Sequence, residues 1–266
     1  MPKNFYPDNM VKRKKSHSKN EGAFLSFVVV LVALALCVML AMLFSNFITV
    51  SSFSFFNTSE AKKNGYTIYA VSIHQSTNFS TAGSFASSYQ DKGGAGYIYF
   101  DNGIFHVLAS GYKEKSDADK VIEKLMNEGT NARLLTLKID SISLSGSFSQ
   151  AEQSAINDAL SSFSTSFDSL YDMAIALDTK VSTQNEIRAQ LSALASAVSS
   201  AKTAFDKAFS SKLQDELLEI SLSLGDEIEY IEDVLDASDT PLSSKLKYCY
   251  FQIVDENMDL KSALSD

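Results

Sequence analysis

Side chains suited to gripping a polar polymer recur at every second position along the strand-like runs in the middle of this 266-residue chain. From Tyr66 to Gln75 the sequence alternates, with Tyr69, Val71 and Ile73 on one side and Ala70, Ser72 and His74 on the other. If Val71, Ile73, Ile98, Phe100, Phe105, Val107 and Ala109 face a core, the period of two turns their neighbours outward. The outward set is Ser72, His74, Tyr97, Tyr99, His106, Leu108 and Ser110, with Gln75 beside it. Aromatic rings suit the C–H faces of sugars, and His, Ser and Gln suit their hydroxyls. The competing reading is an ordinary exposed sheet, because tyrosine and threonine favour strands in any case.

No other chemistry competes strongly. The sequence has no Ser-His-Asp pattern, no Cys-His pair, no His-Glu-x-x-His metal spacing and no glycine-rich phosphate loop, so neither an enzyme nor a cofactor or metal is expected. The acidic run Asp226, Glu227, Glu229, Glu232, Asp233 and Asp236 lacks the loop spacing of a calcium site and reads as a solvated helix face. Nucleic acid is excluded on charge: residues 140–266 carry eight Lys or Arg against 22 Asp or Glu. Cys37 and Cys249 lie in segments that cannot pair, so no disulfide is expected.

The elements that would hold the outward set are legible. Tyr66 to Gln75 is a strand, Thr81 to Lys92 a helix opened by Ser80 or Thr81 and stopped by Gly93 and Gly94. Tyr97 to Phe100 and Ile104 to Tyr112 are joined by Asp101-Asn102-Gly103, a hairpin signal. Ser116 to Glu128 is a helix ended by Gly129, and Ala132 to Ile139 a last strand. The order βαββαβ puts two helices on one face of a four-stranded antiparallel sheet and leaves the other face open. RNA-recognition modules share this order, but the Lys/Arg-Gly-aromatic run of their third strand is missing.

Two half-motifs narrow the choice. The second reads Phe105-His106-Val107-Leu108-Ala109-Ser110-Gly111-Tyr112 followed by Lys113-Glu114-Lys115-Ser116-Asp117-Ala118-Asp119. The first, Val71-Ser72-Ile73-His74-Gln75-Ser76, replaces the Gln, Gly and Phe of the corresponding Val-Gln-Val-Gly-Ser-Phe. Residues 66–139 thereby resemble the SPOR (sporulation-related repeat) domain of bacteria, although Gly111 and Tyr112 stand where that family has Pro and Phe, and Ser110 where it has Gly. The resemblance covers a little over a quarter of the chain. It implies binding of septal peptidoglycan glycan strands.

Residues 141–266 read as helical. Ile156, Leu160, Phe163, Phe167, Leu170, Ala174, Leu177 and Val181 form one apolar stripe, and Ile187, Leu191, Leu194, Val198, Ala201, Phe205 and Ala208 a second. Thr183-x-x-Glu186 is a capping box. A third stretch holds Leu217, Ile220, Leu224, Ile228 and Ile231, and Thr240-Pro241 opens a last helix. Short connections predict an antiparallel bundle of three or four helices, with an intermolecular coiled coil as the alternative.

Location follows from the N-terminal region. Ala23 to Ile48 contains no charged residue and exceeds the roughly 20 apolar residues that cross a bilayer as a helix. Residues 1–22 before it carry six Lys or Arg against two acids, whereas the first basic residues after it are Lys62 and Lys63. This asymmetry predicts a single-pass anchor with a cytoplasmic N-terminus. A cleaved signal is the competitor, but its apolar core is usually only about 7–15 residues.

The expected organisation is therefore an α+β protein: tail 1–22, transmembrane helix 23–48, linker 49–64, SPOR-like domain 65–140 with an open sheet face, and acidic bundle 141–266. Two function classes follow. In the first, a membrane-anchored protein binds wall glycan through the open face at division or sporulation septa. In the second, the bundle docks another envelope protein and the sheet has lost its ligand.

Overall fold

The structure, a computed structural model, describes residues 61–144, 146–211, 215–236 and 240–264. The expected tail, membrane span and most of the linker lie outside the described residues. Among the described residues, no helix is long and apolar enough to cross a membrane.

The expected βαββαβ order is present. Strand β2 (Tyr66–Ser76) leads to helix α1 (Phe79–Gln90), the hairpin β3 (Tyr97–Asp101) and β4 (Ile104–Tyr112), helix α2 (Lys115–Asn127) and β5 (Arg133–Ile139). These four strands form an antiparallel sheet in the order β3-β4-β2-β5. Asn102 and Gly103 both take positive φ, 48° and 82°, which is what a tight two-residue hairpin turn requires. Helix α1 starts two residues earlier than the sequence suggested, because Asn78 rather than Ser80 or Thr81 caps it, its side chain accepting from the Thr81 N–H. Both helices pack on one face, where Val71, Ile73, Ala82, Ala86, Val107, Ala118 and Ala132 form a small core.

The last residues of the expected linker are not a plain tether. Ala61–Lys63 forms strand β1, paired antiparallel with β6 (Ile142–Leu144). This two-stranded clasp joins the start of the domain to the segment that leads into the bundle.

Among the described residues four helices follow: α3 (Gln150–Asp178), α4 (Gln184–Ala208), α5 (Glu216–Asp236) and α6 (Leu242–Ala263). Capping boxes open α3 at Ser149 and Glu152 and α4 at Thr183 and Glu186; the second was anticipated. The stripe Ile156, Leu160, Phe163, Phe167, Leu170 and Ala174 is buried, as is Ile187, Leu191, Leu194, Val198 and Phe205. Val181 falls past the end of α3 and is 79% exposed, so the stripe stops at the helix end.

The bundle does not stand apart from the sheet. One continuous core runs from Ile68, Ala70, Leu108, Leu137 and Ile139 of the sheet to Leu160, Phe163, Tyr250, Phe251 and Val254 of the helices. Sheet and bundle belong to one compact unit. The face expected to be open is thus closed over most of its area, because its alternate residues include Ile68, Ala70, Leu108, Leu137 and Ile139, which need a dry partner.

Candidate functional site

Cross-strand pairing assigns each residue to a face. Tyr97 pairs with Leu108 and Tyr99 with His106, so these four share the face away from α1 and α2. Ser72, opposite Leu108, joins them. The register between β2 and β4 then shifts between Val71 and Ser72 and again between Ser72 and His74. Such an irregularity adds a residue to one strand and re-aims its neighbours. His74 is turned to the helix side as a result and stacks on Phe85 of α1, ring centroids 3.7 Å apart. Ser110, opposite Val71, turns with it and donates to Tyr112 Oη at 3.2 Å. Strict alternation misplaces His74 and Ser110 for this reason.

Helix α6 lies across the middle of the far face. The Tyr97 ring stacks on Phe251 at 5.6 Å and meets Tyr248 edge-on at 5.2 Å, while its hydroxyl donates to Asp255 Oδ2 at 2.6 Å. The Gly111 N–H donates to Tyr250 Oη. Gly111 lies in close contact, since a Cβ there would be 3.0 Å from Ile68 Cγ2 and 3.2 Å from Phe251 Cζ and would force those side chains to shift. Beyond the crossing, Ser244 Oγ donates to Gln90 O at 2.5 Å and Lys247 Nζ to Gly93 O at 2.8 Å. Lys113 Nζ reaches Asp168 Oδ1 of α3 at 2.6 Å.

This cover is part of the fold rather than a lid. Leu246, Tyr250, Phe251, Ile253, Val254 and Leu260 of α6 are each at most 2% exposed. Exposing six such side chains, at about 1.5–3 kcal/mol each, would cost on the order of 10 kcal/mol. That is comparable with the whole stability of a typical domain. Ser72, Tyr97 and Leu108 are buried accordingly, Ser110 is buried on the opposite face, and none of the four is available to a polymer.

What remains open is the end of the sheet distal to β1. There a row of four side chains crosses all four strands: Tyr99 from β3, His106 from β4, Gln75 from β2 and Arg133 from β5. His106 pairs with both Tyr99 and Gln75 across the ladder. Gln75 is the hinge of the row, its Nε2 bonding His106 Nδ1 at 3.1 Å and its Oε1 accepting from Arg133 Nη1 at 3.2 Å. Gln75 and Arg133 are exposed, Tyr99 is half-buried, and His106 lies buried behind them. Three strand spacings make the row about 14 Å long.

The electrostatics keep the row neutral apart from Arg133. Burial pushes the His106 pKa down, offset in part by Asp101, so the ring is an uncharged donor and acceptor near neutrality. With Gln75 Nε2 donating, Nδ1 is the acceptor and the proton sits on Nε2. Burial and then Asp101 hold the Tyr99 phenol above its usual range, so it keeps its hydroxyl. Three of the four members, Gln75, Tyr99 and His106, were expected from sequence; Arg133 was not. Its face depends on the β2–β5 register, and no hairpin joins those strands to fix it.

No protein-family model matches the chain. No curated protein matches it either. Among solved structures, it is similar to the solution structure of the peptidoglycan binding domain of the B. subtilis cell wall lytic enzyme CwlC. That likeness has 21% identity, covers 32% of this chain and 98% of that one, and has a TM-score of 0.23.

Among the described residues, no group of three or more His, Cys, Asp or Glu is placed to hold a metal ion. The acidic run expected to be a solvated face has one exception. Glu227 is fully buried, accepts from Ser162 Oγ at 3.0 Å, and is pushed up to about 7 by burial. Lys63 of β1 is also buried, bonds Asn257 Oδ1 of α6, and is lowered to about 8 by burial against the pull of Glu227.

Proposed function

We propose that the protein is an envelope protein, anchored in the membrane by residues 23–48, that binds wall peptidoglycan through the distal row Tyr99, His106, Gln75 and Arg133. The observation that carries this reading is the row itself: one hydrogen-bonding or aromatic side chain from each strand, linked in series and open to solvent at Gln75 and Arg133. A linear glycan laid across the strands meets an aromatic ring at one end and a cationic fork at the other. The second half-motif, Phe105 to Asp119, supports the same ligand class through its resemblance to SPOR domains. That resemblance also supports a place at division or sporulation septa.

The test is sedimentation of residues 56–266 with purified peptidoglycan sacculi. Gln75→Ala with Tyr99→Ala, and separately Arg133→Ala, are expected to cut the bound fraction about tenfold, the loss of one or two hydrogen bonds and a stacking contact. Thermal melts unchanged from the parent would show that folding is intact. Full retention by these variants would end the reading.

A second reading rests on a different observation, the occupation of most of the far face by α6. In it the protein is an interaction scaffold, the sheet serving as a floor for the bundle and the bundle meeting another envelope protein. Failure of the parent protein to sediment with sacculi, together with recovery of an envelope protein on residues 141–266 in the intact chain, would favour it.

A further inference from the structure

The two outer strands of the sheet are guarded differently. At one edge β5 carries Arg133 and Lys138, both exposed, and such charges discourage pairing with another chain. At the other edge β3 reads Tyr97-Ile98-Tyr99-Phe100-Asp101, with no basic residue and no proline. Among the described residues it pairs with β4 alone. The hairpin fixes what this edge presents. A two-residue turn makes Asp101 and Ile104 a hydrogen-bonded pair, and bonded pairs alternate along an antiparallel ladder. Tyr99 and Tyr97 therefore bond β4 as well, whereas Ile98 and Phe100 turn their N–H and C=O groups to the open side.

The two faces that flank this edge differ in chemistry. On the α1 side, Phe100 meets Phe105 at 4.7 Å between ring centroids, and Phe105 meets Phe79 at 5.5 Å. Phe100 is 58% exposed and Phe79 63%, so the three rings form an apolar patch that runs to the edge. On the α6 side the edge is acidic. Asp101, Asp255 and Asp259 lie close enough to Tyr99 to raise its phenol, after burial. Asp255 is held there by the Tyr97 hydroxyl at 2.6 Å. We infer that β3 accepts an extended segment of a partner protein as an added antiparallel strand, in which apolar residues alternate with lysine or arginine. The apolar residues lie opposite Ile98 and Phe100, where antiparallel pairing gives the same residues both the bonds and the shared face. There they cover the exposed Phe100 ring. The basic residues point the other way, toward the carboxylates. Main-chain bonds supply affinity and alternate side chains supply specificity, as in other strand additions. A second copy of this chain fits worse, because pairing β3 with itself brings two sets of the same carboxylates together. The inference goes beyond the glycan reading and does not rest on it.

The test is fluorescence anisotropy, with the full chain in a neutral detergent and a short fluorescein-labelled peptide that alternates lysine and valine. Saturable binding is expected, and none for a peptide that alternates glutamate and valine. N-methylation of the valines keeps the charge but blocks the pairing edge, and is expected to weaken binding about tenfold. N-methylation of the lysines, whose N–H groups face away from β3, is expected to leave binding unchanged. Phe100→Lys supplies the guarding charge that the strand lacks, and is expected to weaken binding about tenfold with an unchanged thermal melt. Equal binding of the two methylated peptides, or full retention by Phe100→Lys, would overturn the inference. So would a dimer of the chain, seen by analytical ultracentrifugation, that Phe100→Lys dissociates, since the edge would then belong to a second copy. Arg133→Ala is expected to leave peptide binding intact while lowering retention on sacculi, so failure of the glycan reading is told apart from failure of this one.

Discussion

Glu227 and Lys63 form the most consequential polar group inside the molecule. A carboxylate and an ammonium have both been taken out of water, and the Lys63 head is held by Asn257 while Glu227 is held by Ser162. Burial disfavours the charged form of each, which raises the acid and lowers the base. Linkage gives the sign. Between pH 4.5 and about 7 the folded state binds the Glu227 proton more tightly than the unfolded chain, so stability falls as pH rises. From about 8 to 10.5 the unfolded chain holds the Lys63 proton more tightly, so stability rises with pH. The pair therefore predicts a dip in Tm between about pH 7 and 8. Tm measured across pH for the parent and for Glu227→Gln checks this: the variant should lose the decline between pH 4.5 and 7, and an identical decline in both proteins would refute it.

At the scale of elements, the contact between β4 and α6 decides how the two halves of the chain meet. Gly111 sits at this contact, where steric and polar demands meet. A Cβ there would crowd Ile68 and Phe251, which must give by a few tenths of an ångström, and a proline would forfeit the bond its N–H donates to Tyr250. Gly111→Ala is expected to destabilise the fold by about 1–3 kcal/mol through overpacking. Urea denaturation measures it, and a loss below about 0.5 kcal/mol would show that α6 has room to move. The neighbouring strand irregularity has the opposite consequence. It turns His74 and Ser110 under α1 and α2, and leaves Gln75 as the exposed member of β2.

For the whole molecule, the four-stranded sheet with its two helices is not a free-standing module. Its sheet contributes Ile68, Ala70, Leu108, Leu137 and Ile139 to the core shared with the bundle, all at most 4% exposed. Cutting the chain after residue 140 would uncover these side chains as one apolar face and remove the β6 partner of β1. A fragment of residues 61–140 is therefore expected to bind a hydrophobic dye and aggregate, whereas residues 56–266 remain monodisperse. Light scattering distinguishes the two, and a stable monomeric short fragment would contradict the shared core.

Sequence alone determined the order of elements, the Asn102-Gly103 hairpin, the Thr183 capping box and the helical stripes, because each is written in local periodicity and turn chemistry. It also determined that Tyr99 lies opposite His106, through the pairing that the hairpin imposes, whereas Gln75, which strict alternation puts on the other face, reaches His106 only through the strand irregularity. Tertiary structure decided what no local pattern encodes: the shift that re-aims His74, the register that brings Arg133 to Gln75, the burial of Glu227 with Lys63, and the covering of the sheet by α6. Each of these depends on residues far apart in the chain, where hydrophobic surface is removed from water by whichever partner fits. Leu108 reads as an outward residue only until Phe251 and Tyr250, some 140 positions later, supply the surface it needs.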